Sequence, residues 1–541
     1  MPQLPITFGM WIIALLPLAA ILVLLVGLRW KAATAAPVGF FLAVLAAFLA
    51  FRTPALTVAL QTVKGIWDAV FILYVIVPAL LLYEVSEEAG AFDTLRVGIE
   101  RFTPNNLHHV LAFGWVFASF LQGITGFGAP IAVTAPLLVA VGVRPLWAVV
   151  IPLIGHCWAN TFGTLAVAWS GLQLVVTIQD PVATAILAAI MLLIANVAAG
   201  FTIAWLYGRG QGVREALPAV LIVSAIHGLG QLALAPFLPT VAAFVPATLA
   251  VIAILWLART DWYNGPSKVE HSPVMEEGEQ EEQGQPESEE DRAAAHMPLW
   301  LAFLPYVLLI ALIIIVLLIP PVTRTLEQFE VGLPFPELTT GYGVTTDAED
   351  AYSAFAPLTH PGTFLLVSAL VAFGFFRARG YIKTTRIDDV FVDTIKTSIP
   401  SAMALLALVP LATVMDGSGQ IQELALGIAS VASAPVYAFL APLIGSLGAF
   451  MTSSNLSSNI LFGSLQQSTA QALEISQSVA LAGQTAGAAV ANSMAPGNVL
   501  LGIGAVGLTG GTGDVIRRTV IYMLAVVAVL GLVAVAAIYI L

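Results

Sequence analysis

The sequence predicts an all-α polytopic membrane protein made of two inverted-topology repeats with re-entrant hairpins and broken helices. Of its 541 residues, 59% are hydrophobic and only 10% are charged, whereas a soluble domain has about 45–50% apolar and roughly 25% charged residues. Uncharged stretches approach or exceed the ~20 residues that cross a bilayer as a helix, and the whole chain indicates about 12 full spans. The clearest are 9–28, 182–206, 298–320 and 519–541.

Short matches recur in the same order in the two halves of the chain, at a nearly constant spacing of 329 to 334 residues. "TVK" ending at Lys64 matches "TIK" ending at Lys396, and "ANT" ending at Thr161 matches "ANS" ending at Ser493; 396 − 64 and 493 − 161 both give 332. Membrane folds are often built from two copies of one unit. The predicted divisions are 1–210 for the first repeat, 211–258 for two connecting transmembrane helices, 259–297 for an acidic cytoplasmic linker and 298–541 for the second repeat.

Charge distribution predicts the orientation of the chain. The net charge is −12, and residues 270–291 alone hold ten acidic residues and no Lys or Arg, a pattern typical of a solvated connector. Basic residues favour cytoplasmic loops. With the N-terminus outside, residues 321–360 form an acidic outer loop, and most basic residues fall inside, among them Arg29, Lys31, Arg209, Arg214, Arg377 and Arg379. Arg52 and Lys64 are exceptions that fall outside.

Four segments interrupt the apolar pattern with Gly, Pro, Ser, Thr and Asn. Residues 107–142 and 435–470 each have two apolar arms around a polar centre, and we interpret them as re-entrant hairpins rather than pairs of short spans joined by a loop. Non-helical backbone at membrane depth is tolerated only where protein or a cavity surrounds it. Residues 145–170 and 478–500 are predicted to be broken helices for the same reason.

These four interruptions are predicted to converge on one central binding site. A broken helix leaves unpaired N–H groups on one half and unpaired C=O groups on the other, and these ends attract anions and cations respectively. A single Asn or Thr is explained as well by helix-to-helix hydrogen bonding, but the symmetric set favours a site. The candidate binding residues are Thr125, Gly126, Phe127, Gly128, Asn160, Thr161, Thr452, Ser453, Ser454, Asn455, Asn492 and Ser493.

Two ionisable residues in the predicted spans are candidates for proton coupling. His156 has Ala488 at the equivalent position of the second repeat, and it lies one helical turn before Asn160, on the same face. Histidine titrates near physiological pH, although a neutral, hydrogen-bonded core histidine also fits the pattern. Asp68 is the second candidate. Lys64 and Lys396, near span ends, are interpreted as reaching the membrane interface.

Enzymatic motifs are absent from the sequence. "LTGGTGD" at 508–514 lacks the G-x-x-x-x-G-K-[ST] pattern of a phosphate-binding loop, and there is no HExxH, CxxC or GxSxG pattern. The sequence therefore predicts neither an enzyme nor ATP-driven transport. No cofactor, metal ion or nucleic acid is expected as a partner; the expected partners are a small carboxylate, protons and the lipid bilayer.

At these residues the sequence resembles the L-lactate permease family of the ion transporter superfamily. The resemblance rests on "GITGFGAPIAVTAP" and "GHCWANTFGT" in the first half, and on "SSNLSSNILFG" and "QTAGAAVANSMAPGN" in the second. It implies uptake of L-lactate and related 2-hydroxymonocarboxylates such as D-lactate and glycolate by proton symport across the plasma or inner membrane. It also implies inverted repeats, an elevator-like transport domain and a homodimer.

Other functions stay open on the sequence alone. Relatives in the superfamily that couple to sodium carry Ser-Asn-Thr-like tips, and the first tip here, "TGFGAP", departs from that pattern. The alternatives are a sodium-coupled transporter of another carboxylate, and a channel or non-transporting receptor on the same fold.

Overall fold

The structure is a computed structural model that describes residues 4–94, 103–276, 297–508 and 510–541. Within these ranges ten helices are long and apolar enough to cross a membrane, or up to 12 if each of two bent helix pairs forms one span. The prediction of an all-α polytopic fold is confirmed. The predicted linker, 259–297, is described as far as residue 276, and its segment 277–296 lies outside the described residues.

The first half of the chain is a series of helices with breaks at polar segments. Six residues of the fourth helix, Ala112–Phe117, are π-helical, and the eighth helix is kinked at Gly208 and Arg209, so it provides two spans. The helices are α1 (Phe8–Leu22), α2 (Ala32–Leu49), α3 (Ala55–Glu88), α4 (Asn106–Ile124), α5 (Ala129–Ala140), α6 (Pro145–Gly155), α7 (Gly163–Val175), α8 (Pro181–Leu234) and α9 (Phe244–Leu257).

The second half follows the same order, with four short strands inserted after its first long helix. Its helices are α10 (Leu299–Ala302), α11 (Leu304–Leu317), α12 (Pro320–Leu326), α13 (Pro361–Ala378), α14 (Ile387–Gly417), α15 (Gln420–Ala429), α16 (Ala434–Thr452), α17 (Asn455–Ala472), α18 (Gln477–Ser493), α19 (Pro496–Ala505) and α20 (Thr512–Ala537). The strands are β1 (Val331–Phe335), β2 (Leu338–Thr339), β3 (Thr345–Thr346) and β4 (Glu349–Phe355).

Helix boundaries repeat at the spacing that the sequence matches predict. The starts of α3 and α14 differ by 387 − 55, and those of α6 and α18 by 477 − 145, and both differences are 332. Proline lies inside α3 at Pro78 and inside α14 at Pro410, which are again 332 apart (410 − 78). The two halves therefore share one series of elements.

The halves exchange contacts in a reciprocal way. The second arm of the first hairpin, α5, packs on α19, and the second arm of the second hairpin, α17, packs on α7. Glycines allow both approaches: a Cβ on Gly171 would lie 2.1 Å from Leu456, and one on Gly502 would lie 2.7 Å from Ile131. Each hairpin is thus closed against the broken helix of the other half.

Four helices form a frame beside the hairpins. The long helices α3 and α14 pack along each other, with α2 against α14 and α13 against α3. Gly65 lies where α3 meets α14, and a Cβ there would be 2.4 Å from the Pro410 Cα. We call α2, α3, α13 and α14 the frame.

Residues 321–360, the predicted outer loop, are folded and lie on one end of the frame. Antiparallel pairs join β1 to β4 and β2 to β3. Several hydrogen bonds attach the loop to the frame and to the turn between α2 and α3. Among them, Gly341 N donates to Arg52 O (3.1 Å), Gln61 Nε2 to Thr346 Oγ1 (3.1 Å) and Trp67 Nε1 to Ser353 O (3.3 Å). Arg52 and the outer loop therefore lie at the same end of the molecule.

Candidate functional site

The tip of the first hairpin is made of backbone in an unusual conformation. Between α4 and α5, Gly126, Phe127 and Gly128 all have positive φ angles, of 57°, 48° and 91°. Glycine reaches this region without steric cost, whereas Phe127 is strained there. Thr125 closes the end of α4, because its Oγ1 donates to Leu121 O at 2.9 Å.

The first broken helix bends by 57° next to this tip. After the bend Thr164, Leu165 and Ala166 have φ angles of 50°, 51° and 65°. Three successive non-glycine residues in the left-handed region store strain of about 1–3 kcal/mol each, and such backbone persists only where its surroundings hold it. The tip supplies that contact, since a Cβ on Gly126 would lie 2.1 Å from Thr164 Oγ1.

The tip of the second hairpin uses side chains rather than glycine. Ser453 has a φ of 56°, and its Oγ accepts a hydrogen bond from Gly497 N at 3.0 Å. Ser454 caps α17, with its Oγ accepting from Ser457 N at 3.1 Å. Thr452 Oγ1 donates to Gly448 O at 2.8 Å. This tip is therefore tied to the break between α18 and α19.

A chain of asparagines joins the two breaks. Asn160 Nδ2 donates to Ser493 Oγ (2.7 Å) and Ala489 O (2.8 Å), and Asn492 Nδ2 donates to Asn160 Oδ1 at 3.2 Å. Asn498 Nδ2 then donates to Asn492 O at 2.7 Å. Asn160 and Asn492, which are repeat mates, thus meet directly where the two halves face each other.

A second network lies beneath the second tip. Thr161 Oγ1 donates to Thr485 O (3.1 Å), and Asn455 Nδ2 donates to Thr161 Oγ1 (3.2 Å). Asn459 Nδ2 donates to Thr485 Oγ1 at 2.9 Å. The Oδ1 atoms of Asn455 and Asn459 are buried and accept no hydrogen bond from any described residue. A buried acceptor without a donor is costly in a core, so either oxygen would gain from a ligand group that donates to it.

A cavity of about 250 Å³ lies between the tips, the breaks and the frame. It brings together nine of the candidates that the sequence indicated: Phe127, Gly128, His156, Asn160, Thr452, Ser453, Ser454, Asn455 and Asn492. The other candidates lie elsewhere. Thr125, Thr161 and Ser493 are buried in the hydrogen bonds described above. Gly126 of the first tip packs against Thr164, and Asp68 is under the outer loop.

The electrostatics of the cavity suit an anion. Four helices begin at its wall: α5 after Gly128, α17 at Asn455, α19 beside Gly497 and the right-handed part of α7, which starts at Val167 after the left-handed turn. Helix N-termini carry unpaired N–H groups and a partial positive charge. Among the described residues that line the cavity none is acidic, and Lys31 is the only one with a permanent charge.

His156 lines this cavity, but not for the reason that the sequence suggested. The prediction that His156 and Asn160 share a face of one helix is wrong, because α6 ends at Gly155 and a 3-10 turn follows at Cys157–Ala159. The end of α6 lies so close to α4 that only glycine fits at position 155, since a Cβ there would lie 2.0 Å from Gly114 O. His156 Nδ1 is 2.5 Å from Pro152 O; a carbonyl only accepts, so Nδ1 carries the proton and Nε2 has a free lone pair in the neutral ring.

Asp68 and Lys64 both contact the outer loop. Tyr352 Oη donates to Asp68 Oδ2 at 2.6 Å, and Lys64 Nζ is 3.0 Å from Glu349 Oε1. The interpretation that Lys64 reaches the membrane interface is wrong. Its side chain is only 3% exposed, and its ammonium lies 4.3 Å from the centre of the Tyr352 ring. Ion pairing and the ring face offset the cost of burial. Lys396, by contrast, is exposed beside Asp393.

The profile of the L-lactate permease family matches residues 10–541, which is nearly the whole chain. The chain belongs to the L-lactate permease family. Members of this permease family are multi-pass proteins of the cell membrane, in agreement with the helices described above. The predicted family and location are thereby confirmed, and the protein is a transporter.

Individual permeases align over almost their full length. The chain is 27% identical to the glycolate permease GlcA of Escherichia coli (strain K12), covering 96% of this chain and 94% of GlcA. It is 26% identical to the L-lactate permease of the same strain, covering 98% of this chain and 96% of that permease. The L-lactate permease of Halalkalibacterium halodurans is 28% identical, with 90% and 88% covered. Among solved structures, the Alcanivorax borkumensis YdaH transporter matches with a TM-score of 0.40 and 14% identity, over 85% of this chain and 84% of that one.

Several residues of this permease site escaped the sequence reasoning. Thr485 and Asn459 hold the second network together, Asn498 extends the asparagine chain, and Lys31 lies at the cavity wall. Asn498 is part of the "ANSMAPGN" segment, so its composition was a usable signal. No sequence signal indicated Lys31, because its side chain reaches the cavity only through the packing of α2 on α14.

Proposed function

We propose that this protein takes up L-lactate and related small 2-hydroxymonocarboxylates, including glycolate and D-lactate, by proton symport. The proposal is supported by the names of its relatives, which are L-lactate permeases and a glycolate permease. The observation that carries it is the cavity where four helix N-termini meet and where none of the described lining residues is acidic. A carboxylate there is held by N–H groups and amide side chains, without a buried cation.

The carboxylate binds near Asn160 and Asn492, and the 2-hydroxyl is recognised at the second tip. Ser453 and Asn455 both line the cavity, and Asn455 Oδ1 has no donor among the described residues. A buried acceptor without a partner costs about 1–3 kcal/mol, so a substrate hydroxyl that donates to it is favoured over a hydrogen atom. This contact would separate lactate from unsubstituted short-chain acids.

In the proposed orientation the N-terminus and the outer loop 321–360 face outward. Arg52 then lies outside with the loop that it contacts, and Arg29 and Lys31 lie inside, at the far end of α2. Basic residues concentrate on cytoplasmic loops, which supports this orientation.

Transport by purified protein in liposomes tests the function. An inward proton gradient is expected to drive accumulation of labelled L-lactate, and unlabelled lactate inside the vesicles is expected to accelerate exchange. Uptake driven by a sodium gradient alone would refute the proton coupling. Lack of accelerated exchange would refute transport by an alternating carrier and favour a channel or a receptor.

His156 is the proposed proton carrier, because its Nε2 is free in a cavity that holds the anion. Changing His156→Gln keeps a polar side chain but removes the ring nitrogen that can take up a proton. We expect proton-driven accumulation to fall by about tenfold or more, while lactate exchange at equal pH falls less than about threefold. Equal losses of both activities would show that His156 is structural.

A further inference from the structure

Lys31 stands out among the residues of the cavity wall. It is the N-cap residue of α2 and is exposed, and it makes no ion pair with any described residue. A lysine beside solvent is ordinarily a solvated surface residue. This one shares a cavity with the helix N-termini and with Asn160 and Asn492.

The cavity wall has two sides with different origins. The tips and breaks contribute the helix N-termini. The frame contributes Lys31 at the start of α2 and four residues of α14: Pro400, Ser401, Ala404 and Leu405. An anion in the cavity is therefore attracted from the frame side by one lysine, and from the opposite side by the N-termini of four helices.

The neighbouring cavity is lined mainly by acidic side chains. A space of about 470 Å³ meets the first at Phe127, Gly128 and Leu501. It is lined by Glu84, Glu87, Glu88, Asp389 and Asp393, with Arg386 as its single basic residue among those described. Like charges repel a carboxylate, so the opening beside Lys31 is the route that suits an anion.

The position in the second repeat that is equivalent to Lys31 lacks a positive charge. Lys31 precedes α2 as its N-cap, and His360 precedes α13 in the same way. Phe71, Tyr74 and Phe355 surround the His360 ring, and burial lowers the pKa of His360 to about 4. His360 is therefore neutral at pH 7, so this N-cap position carries a cation in the first repeat only.

We propose that Lys31 attracts and positions the substrate carboxylate at the cytoplasmic mouth of the cavity, so that it sets the affinity on that face alone. This inference rests on the proposed function for the identity of the anion. A lysine at one mouth only makes the carrier asymmetric, although its two halves repeat one fold. Since the lysine is in contact with solvent, its attraction is screened by salt.

Sided membrane vesicles test this role. The half-saturating lactate concentration for exchange is measured from the cytoplasmic face of inside-out vesicles and from the outer face of right-side-out vesicles. Lys31→Gln is expected to raise the cytoplasmic value about threefold to tenfold at low salt, with the outer value unchanged. The difference from the wild type is expected to shrink in about 0.5 M salt, and Lys31→Arg is expected to restore the wild-type value.

The neighbouring arginine provides the control. Arg29 carries the same charge two residues away and does not line the cavity, so Arg29→Gln is expected to leave both values unchanged. Equal shifts on both faces, no shift, or the same effect from Arg29→Gln would overturn the role of Lys31. A wild type that exchanges no lactate would instead refute the proposed substrate, and the same variants would then be compared with the carboxylate that it does exchange from a panel of glycolate, pyruvate and succinate.

Discussion

The two hairpin tips occupy equivalent positions but are built from different chemistry. The first, Thr125–Gly128, turns through three consecutive left-handed residues and presents backbone and one aromatic ring to the cavity. The second, Thr452–Asn455, has one left-handed residue and presents two serines, a threonine and an asparagine. A repeated backbone therefore carries an unrepeated set of hydrogen-bonding groups.

This difference matches an asymmetric ligand. A 2-hydroxy acid has a carboxylate, which binds N–H groups at helix ends, and a hydroxyl, which needs a specific donor or acceptor. Two identical tips would offer the same groups to both parts of the ligand. We therefore expect the first tip to act through the shape of its backbone, and the second through its side chains.

The largest expected effect comes from adding one methyl group to the first tip. Gly126→Ala places a Cβ 2.1 Å from Thr164 Oγ1 at a φ of 57°, so both the tip and the strained turn of α7 must shift. A displacement of about 1 Å at a site commonly costs about 100-fold in rate, and we expect a loss of that size in lactate uptake by reconstituted protein.

Two further variants separate this effect from a general glycine effect. Gly504→Ala lies in a helix with nothing within 4 Å of the new Cβ, and uptake is expected to stay within about twofold of wild type, since alanine suits a helix better than glycine. Gly126→Ala combined with Thr164→Ala removes the clash and is expected to recover part of the uptake. Wild-type lactate uptake by the Gly126→Ala variant would contradict the backbone role of the first tip.

An intermediate effect is expected at Asn455 of the second tip. We expect the wild type to prefer lactate over propionate, which lacks the hydroxyl, by about tenfold or more in kcat/KM. Asn455→Ala removes the acceptor, and the preference is expected to fall toward unity, mainly through weaker lactate uptake. Competition of each acid with labelled lactate measures the ratio.

Phe127 of the first tip is the matched control for hydroxyl recognition. Its ring lines the same cavity but has no polar atom, so Phe127→Leu is expected to change the uptake of both acids by a similar factor. Loss of the lactate preference in Phe127→Leu, or its retention in Asn455→Ala, would reverse the assignment of roles to the two tips.

The smallest effect is expected at Ser453, whose Oγ accepts a hydrogen bond from Gly497 N. Loss of one such bond costs about 0.5–1.5 kcal/mol, so we expect Ser453→Ala and Ser453→Gly both to raise KM by a few-fold. Glycine relieves the positive φ, so only the alanine variant is expected to lower the Tm, measured by thermal unfolding in detergent. A wild-type KM in the glycine variant would show that this bond does not position the tip.

Much of the fold could be predicted from particular residues. The 332-residue spacing of "TVK" and "TIK" predicted the equivalence of α3 and α14, and the Gly, Ser, Thr and Asn clusters predicted where the helices would be interrupted. The position of His156 relative to Asn160 was predicted on the assumption of a continuous helix. That assumption failed at Gly155, where α6 ends and packs so closely on Gly114 of α4 that no side chain fits.

By itself, the sequence determined the membrane class, the repeat and the four polar interruptions, because composition and spacing are properties of the chain alone. Only the tertiary structure decided which polar atoms face the cavity. Thr161 and Ser493 form hydrogen bonds with partners more than 300 residues away and do not line the cavity. Lys31, by contrast, reaches the cavity from the frame. Hydrogen-bond partners of this kind exist only after the two halves have met, so no local pattern encodes them.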